Sequence, residues 1–337
     1  MEYLRRRAGG DRGLVIYGVV VGGCVVYYIV HLEKVPETGR WRFIDVSEAQ
    51  ERELGIQTQH QTLNEYSTHV LPPNHPITRR VRDIAARIIE SSGLGRVKSG
   101  GEMGAIEGKM PEAWNSEIRM SDVLFGGGHL DDDVGSSTEW EVYVIDDQKI
   151  KNAFVLPGGK VFVFTGILPV AANDDGLATI LGHEVAHQVA RHGAERLSSM
   201  KVLFALGFLL ETLGLDVGLS RLLLTLLLQL PNSRKSESEA DYIGLRLMAK
   251  ACFDPSESTE MWQRMSLAEK GTKVDVDFLS THPANAKRIK QLREWLPEAQ
   301  QIRAASTCGV TSAQFGGFLG ALPAVISDGG MASSLWG

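Results

Sequence analysis

Leu181-Gly182-His183-Glu184-Val185-Ala186-His187 is the stretch on which the fold turns. His183 and His187 are four residues apart, so on an α-helix both imidazoles leave one face a turn apart and can grip a single ion. Neutral imidazole suits Zn²⁺, and two such ligands leave room for a third protein ligand and a water. Glu184 is rotated to the side of that pair, where its carboxylate can take a proton from the water. The competing reading is a polar helix whose histidines face solvent. Leu177, Ile180 and Leu181 oppose it by marking a packed helix, and two packed histidines beside a glutamate call for a metal.

Working outward, Asn173 or Asp174 can cap this helix, which the pattern carries to about Glu195. Upstream, Trp140 to Ile145 alternates and is rich in β-formers, so it reads as a strand. Ala153 to Leu156 and Val161 to Phe164, joined by Pro157-Gly158-Gly159-Lys160, read as a hairpin. Ile77 to Ile89 carries Val81, Ile84, Ala85 and Ile88 on one helical stripe.

The third ligand has to come from elsewhere. On a continuous helix His192 falls on the face opposite His183, and Glu195 lies too far along the axis. Glu237 is the better candidate, on a predicted second helix with Asp241 four residues later. One carboxylate would bind the metal while the other holds a histidine N–H. Glu239 is about 200° round that helix from Glu237 and cannot share the task. Two histidines and a glutamate form the ligand set of the gluzincins, with the fourth position open to water.

The chain has 337 residues, 35 basic and 41 acidic, for a net charge of −6. That balance argues against general nucleic-acid binding, which needs a basic face. Three cysteines exclude a disulfide scaffold. Cys252 and Cys308 could pair in an oxidising compartment, but free thiols are the default expectation. From Gly13 to Val30 there are 18 residues without a charge, about 27 Å of helix, close to the thickness of a bilayer's hydrocarbon. No signal-peptide cleavage pattern follows Val30, so a single-pass transmembrane anchor is expected. Arg5, Arg6, Arg7 and Arg12 before it bias the N-terminus inward. Gly18 and Gly22 offer a route to a homo-oligomer.

The expected organisation is therefore a basic start (1–12), an anchor (13–30), a linker (31–75), a zinc peptidase domain (76–300) and a Gly/Ala-rich tail (301–337). Within the domain, 96–138 reads as a flexible insertion. Residues 201–230 read as an apolar helical hairpin that brings the site near membrane substrates. The fold class expected is α+β, mainly α, with a small β-sheet beside the metal-bearing helix.

Together, Leu181 to His187, Glu237-x-x-Ala240-Asp241 and Thr281-His282-Pro283 resemble the integral-membrane metallopeptidases that include the CAAX prenyl protease and the bacterial heat-shock membrane protease. Asn152 to Lys160 and Val163 to Leu168 look closer still to the mitochondrial inner-membrane branch, whose activity overlaps that of the m-AAA protease. The resemblance covers roughly residues 70–295. It implies His183, His187 and Glu237 as ligands of one zinc ion, Glu184 as general base and Asp241 as partner of a ligand histidine. By the same likeness the hairpin, with Asn152 at its start, lies beside the substrate.

Spacing alone leaves His282 between an ordinary helix start, with Pro283 in the first turn of a helix ending near Trp295, and an oxyanion donor. The likeness favours the donor, with Arg288 assisting or holding substrate. The implied role is quality control in the mitochondrial inner membrane and stress-activated processing of a dynamin-like GTPase. The catalytic domain would face the intermembrane space, and the partners would be polypeptide substrates and the lipid bilayer. The rival readings are a non-catalytic zinc-stabilised scaffold, against which the intact Glu184 speaks, and a bacterial envelope quality-control protease with the same chemistry.

Overall fold

The computed structural model describes residues 11–100, 139–212, 230–271, 277–283, 286–306 and Cys308, with scattered positions between 213 and 229. Helix α1 (Asp11–Val30) leads into a ribbon of β1 (Leu32–Lys34) and β2 (Trp41–Phe43), antiparallel with Leu32 opposite Phe43. Then come α2 (Glu48–Glu65), α3 (Pro76–Ser91), β3 (Arg96–Val97), β4 (Glu139–Ile145), β5 (Ala153–Leu156) and β6 (Lys160–Phe164). The helical part follows: α4 (Leu168–Ala171), α5 (Asp174–Val189), α6 (His192–Thr212), α7 (Leu230–Lys250), α8 (Glu257–Gly271), α9 (Asp277–Thr281) and α10 (Ala286–Ala305). The architecture is α+β and mainly helical, as the patterning indicated.

One sheet runs β3-β4-β6-β5; β4 is parallel to β3 and β6, while β5 is antiparallel to β6 and forms the edge. Both faces of β6 are covered, which is why it reads as an unbroken apolar run. Val161 and Val163 enter the main core with Ile84, Ile88, Leu177 and Leu181, while Phe162 and Phe164 join Leu63 of α2 on the other side. Helix α5 is thus buried between the sheet and α3 on one side and the helices that follow on the other. Helix α7 crosses α5 at glycines: a Cβ on Gly182 would meet the Gly244 carbonyl oxygen at 2.9 Å.

Several expectations are corrected. The stretch 31–75 is not a simple linker. It holds the ribbon and α2, an 18-residue helix that starts in a reciprocal capping box between Ser47 and Gln50. Its buried positions are Glu51, Gly55, Gln59 and Leu63, so it shows no apolar stripe. Helix α5 stops at Val189 rather than near Glu195. Arg191 adopts a left-handed φ of 47°, held there by hydrogen bonds from its Nε to Glu51 and from Nη2 to the Val46 carbonyl. Pro283 does not open a helix; α10 begins at Ala286 and runs through Pro297 to Ala305, past Trp295.

Cys252 and Cys308 form a disulfide, with Cα atoms 5.4 Å apart, inside the normal span; the free-thiol expectation was wrong. It ties the end of α7 to the chain beyond α10. The expected flexible insertion at 96–138 begins instead with β3, Arg96–Val97, paired to β4; residues 101–138, most of 213–229 and the rest of the tail lie outside the described residues. Among the described residues no helix is long and apolar enough to cross a membrane. The described side chains of α1 are nonetheless exposed and mostly apolar, with Val15, Ile16, Val19 and Val30 each more than 60% accessible.

Candidate metal centre

His183 and His187 project from α5 as their spacing requires, and both Nε2 atoms converge at 3.1 Å. The Gly182–Gly244 crossing lets α7 approach closely enough to deliver Glu237, whose carboxylate oxygens stand 3.5 Å from His183 Nε2 and 3.4 Å from His187 Nε2. His282, just past α9, completes the group: its Nδ1 lies 3.0 Å from Glu237 and 3.2 Å from His183 Nε2. Four ligand atoms about 2.0–2.2 Å from one tetrahedral ion would stand roughly 3.3–3.6 Å from each other. His183, His187, Glu237 and His282 fit that arrangement as a set. His282, expected to act on the oxyanion, stands here where a fourth ligand would.

Glu184 is buried beside them. Its Oε1 has no hydrogen-bond partner, although His282 Nε2 is 3.3 Å away. The Val155 backbone N–H on edge strand β5 bonds the same carboxylate. Burial pushes its pKa above the ordinary carboxylate value, with the nearby His282 and His183 opposing. A buried carboxylate with one unmet acceptor is what a water-activating base needs in the absence of substrate.

Arg288 and Asp241 hold the other side of the centre. Asp241 Oδ1 lies 3.1 Å from His183 Nδ1, the nitrogen turned away from the cluster. Arg288 donates to Asp241 through Nε and Nη2, reaches Glu237 Oε2 at 3.1 Å, and stacks on Trp262 at 3.7 Å. Arg288 is 4% exposed, so it sits inside the centre rather than on its rim. Burial raises the Glu237 pKa, but its imidazole neighbours outweigh this and keep the carboxylate ionised. Burial and Arg288 disfavour charge on His183, yet Asp241 and Glu237 prevail and raise its pKa to about 9. A carboxylate on each side of an imidazole is a donor set made for a cation. Asn152 bonds the Ala153 N–H with its side chain and the Phe164 N–H with its carbonyl, fixing the start of β5.

The profile of peptidase family M48 matches residues 132–296. The mitochondrial metalloendopeptidase OMA1 of Saccharomyces cerevisiae is 39% identical over 86% of this chain and 76% of its own length. The protein of the same name from Schizosaccharomyces pombe is 42% identical over 87% and 75%. The chain belongs to peptidase family M48. The human mitochondrial metalloendopeptidase OMA1 is also similar, 30% identical over 88% of this chain and 51% of its own. As an M48 member this chain is a metalloendopeptidase, in agreement with what the motifs implied.

Sequence reasoning did not see the far side of the candidate metal centre. His192, placed on the opposite face of a continuous helix, is returned to the site by the break at Arg191: its Nδ1 lies 2.8 Å from His187 Nδ1. Its Nε2 is 3.0 Å from Glu239, and Arg40 of the ribbon bridges Glu239 and Glu195. The residue types were visible, but the left-handed turn that unites them has no marker such as glycine at 191.

Proposed function

We propose that this chain is a zinc-dependent endopeptidase, one zinc per chain, anchored by α1 in the mitochondrial inner membrane and cleaving membrane or membrane-adjacent proteins. The observation that carries the chemistry is Glu184, buried with an unmet oxygen beside the His183–His187–Glu237 group. Zinc held by those three residues would supply Lewis-acid polarisation of the scissile carbonyl. Glu184 takes a proton from the attacking water and returns it to the leaving amine. The edge strand β5 is the side of the sheet on which an extended substrate could add as a further strand, a mode that favours unfolded segments. The bond from Val155 to Glu184 supports this reading, since it sets the edge strand beside the proposed base.

His282 stands among the candidate ligands, so it would compete with water or substrate for a metal held by His183, His187 and Glu237. His282, whose Nε2 lies 3.3 Å from Glu184, would donate to the oxyanion, while Arg288 holds Glu237 and Asp241 in place. What supports the anchor is the set of exposed valine and isoleucine side chains on α1, which a non-aqueous surround would cover. Location in the mitochondrion rests on the names of the similar proteins. The disulfide suits an oxidising compartment, which favours a catalytic domain facing the intermembrane space. Quality control of membrane proteins, including stress-activated processing of a dynamin-like GTPase, is the matching role.

The test is cleavage of an unfolded protein by the purified chain in detergent, with Glu184→Gln compared at equal zinc content. Activity lost in the variant, with zinc retained, is the expected result. Equal cleavage by both would remove Glu184 from the mechanism.

A further inference from the structure

We infer that His192 is a positioning residue for the metal ligand His187, and that Arg40, on the ribbon that follows α1, is the outer end of the relay through which it acts. The inference rests on the metal-centre reading above. His187 presents Nε2 to the ligand cluster and turns Nδ1 to His192 Nδ1 at 2.8 Å. At that distance one ring must donate and the other accept. The other side of His192 settles which. Its Nε2 lies 3.0 Å from Glu239 Oε2, and an ionised carboxylate can only accept. His192 therefore carries its proton on Nε2, leaving Nδ1 to accept from His187. That fixes the tautomer of His187 with the Nε2 lone pair aimed at the metal position.

Glu239 is held in turn. Arg40 donates to it through Nε at 3.0 Å and Nη2 at 2.7 Å, and spans Glu195 through Nη1 at 2.7 Å and Nη2 at 2.6 Å. Thr38 of the same ribbon also donates to Glu239. The side chains of Glu195 and Glu239 are only 7% and 4% exposed, so Arg40 is the cation that lets two buried carboxylates lie side by side. The two metal histidines are thus fixed from behind in different ways. His183 has the carboxylate of Asp241, and His187 has a carboxylate relayed through a second imidazole. Only the second reaches the segment that leaves α1.

The experiment measures the apparent zinc Kd of the full chain in detergent by chelator competition. It compares wild type, His192→Ala, His192→Gln, Glu239→Gln, Arg40→Gln and Arg42→Gln. Loss of an outer partner of a metal histidine weakens binding roughly 10–100-fold, and that is expected of His192→Ala, Glu239→Gln and Arg40→Gln. His192→Gln can accept from His187 and donate to Glu239, so it should recover most of the affinity. Arg42 lies on the same ribbon but pairs with Glu33, and its variant should bind zinc like wild type. Glu239→Gln is isosteric and keeps the test alive if His192→Ala fails to fold. Unchanged affinity in Glu239→Gln or His192→Ala overturns the inference. Equal losses in Arg40→Gln and Arg42→Gln overturn the role of Arg40 by showing that ribbon docking alone matters. A wild type that takes up no zinc overturns the metal-centre reading and the relay with it.

Discussion

Gly182 and Gly244 face each other where the two helices carrying the candidate ligands His183, His187 and Glu237 cross, so closely that a Cβ on Gly244 would stand 2.8 Å from both the Gly182 carbonyl carbon and the His183 nitrogen. Both neighbours are backbone, and neither can rotate away. Gly244→Ala must therefore push α7 off α5 and carry Glu237 away from His183 and His187. Overpacking of this kind costs about 1–3 kcal/mol, and the metal site should suffer more than the fold. The expected result is at least a tenfold weaker zinc Kd together with a measurable loss in denaturant unfolding. Gly193→Ala, where a Cβ meets nothing within 4 Å, should leave both unchanged.

The place of His282 makes a second outcome checkable. Four protein ligands close a metal site, whereas a catalytic site keeps one position free. A small hydroxamate that needs the free position must displace His282 from wild type. His282→Ala removes that competitor, so the hydroxamate should bind at least tenfold more tightly while zinc itself binds less tightly. Calorimetric titration of both zinc-loaded proteins reads this directly. Equal hydroxamate affinity would mean that His282 stays off the metal in solution.

What was legible in the sequence is what local periodicity encodes. The His183–His187 pair, the alternation of β4, the stripe of α3 and the turn at Pro157-Gly158-Gly159 all state their geometry within one or two turns of chain. Glu237 was reachable because a helical spacing to Asp241 accompanied it. Helix α2 stayed hidden because its buried face is polar: Glu51 pairs with Arg191, and Gln59 bonds Glu141 and Tyr143. Such positions are buried only because distant residues satisfy them, and a hydrophobic pattern does not record that. His192 was misplaced for the same kind of reason. The turn at Arg191 is imposed by Glu51 and the Val46 carbonyl, groups 140 and more residues away in sequence.

The disulfide supports a third prediction. Cys252 and Cys308 are separated by 56 residues, and in the chain-entropy account a loop of that length stabilises by at most about 4 kcal/mol. Cys308→Ser should lower the unfolding free energy by a sizeable part of that figure in non-reducing buffer. Reduced wild type should then match the variant, since only the covalent link differs. A variant as stable as oxidised wild type would show that α10 docks equally well without the bond.

Glu141 on β4 gives the clearest pH dependence away from the metal. Burial works against its charge, but Lys98 at 2.8 Å, Lys160 at 2.9 Å and the Tyr143 hydroxyl at 2.6 Å outweigh it and bring the pKa down to about 2. In the unfolded chain the group returns to the ordinary glutamate value of about 4.3. The folded pKa is the lower one, so this contribution is complete above pH 4.3. It is lost as pH falls from there toward 2, because the unfolded state takes up the proton first. Glu141→Gln keeps the shape and removes the charge, leaving the partially buried Lys98 and Lys160 facing one another without it. At pH 7 the variant should be less stable by about 1.5–3 kcal/mol, the usual range for hydrogen bonds to a charged group. Urea unfolding of both proteins at pH 6 and pH 3 should show the gap narrowing at the lower value. Other carboxylates titrate in both proteins and cancel in the difference. A gap that stays constant across this window would mean that the lysines do not hold Glu141 ionised.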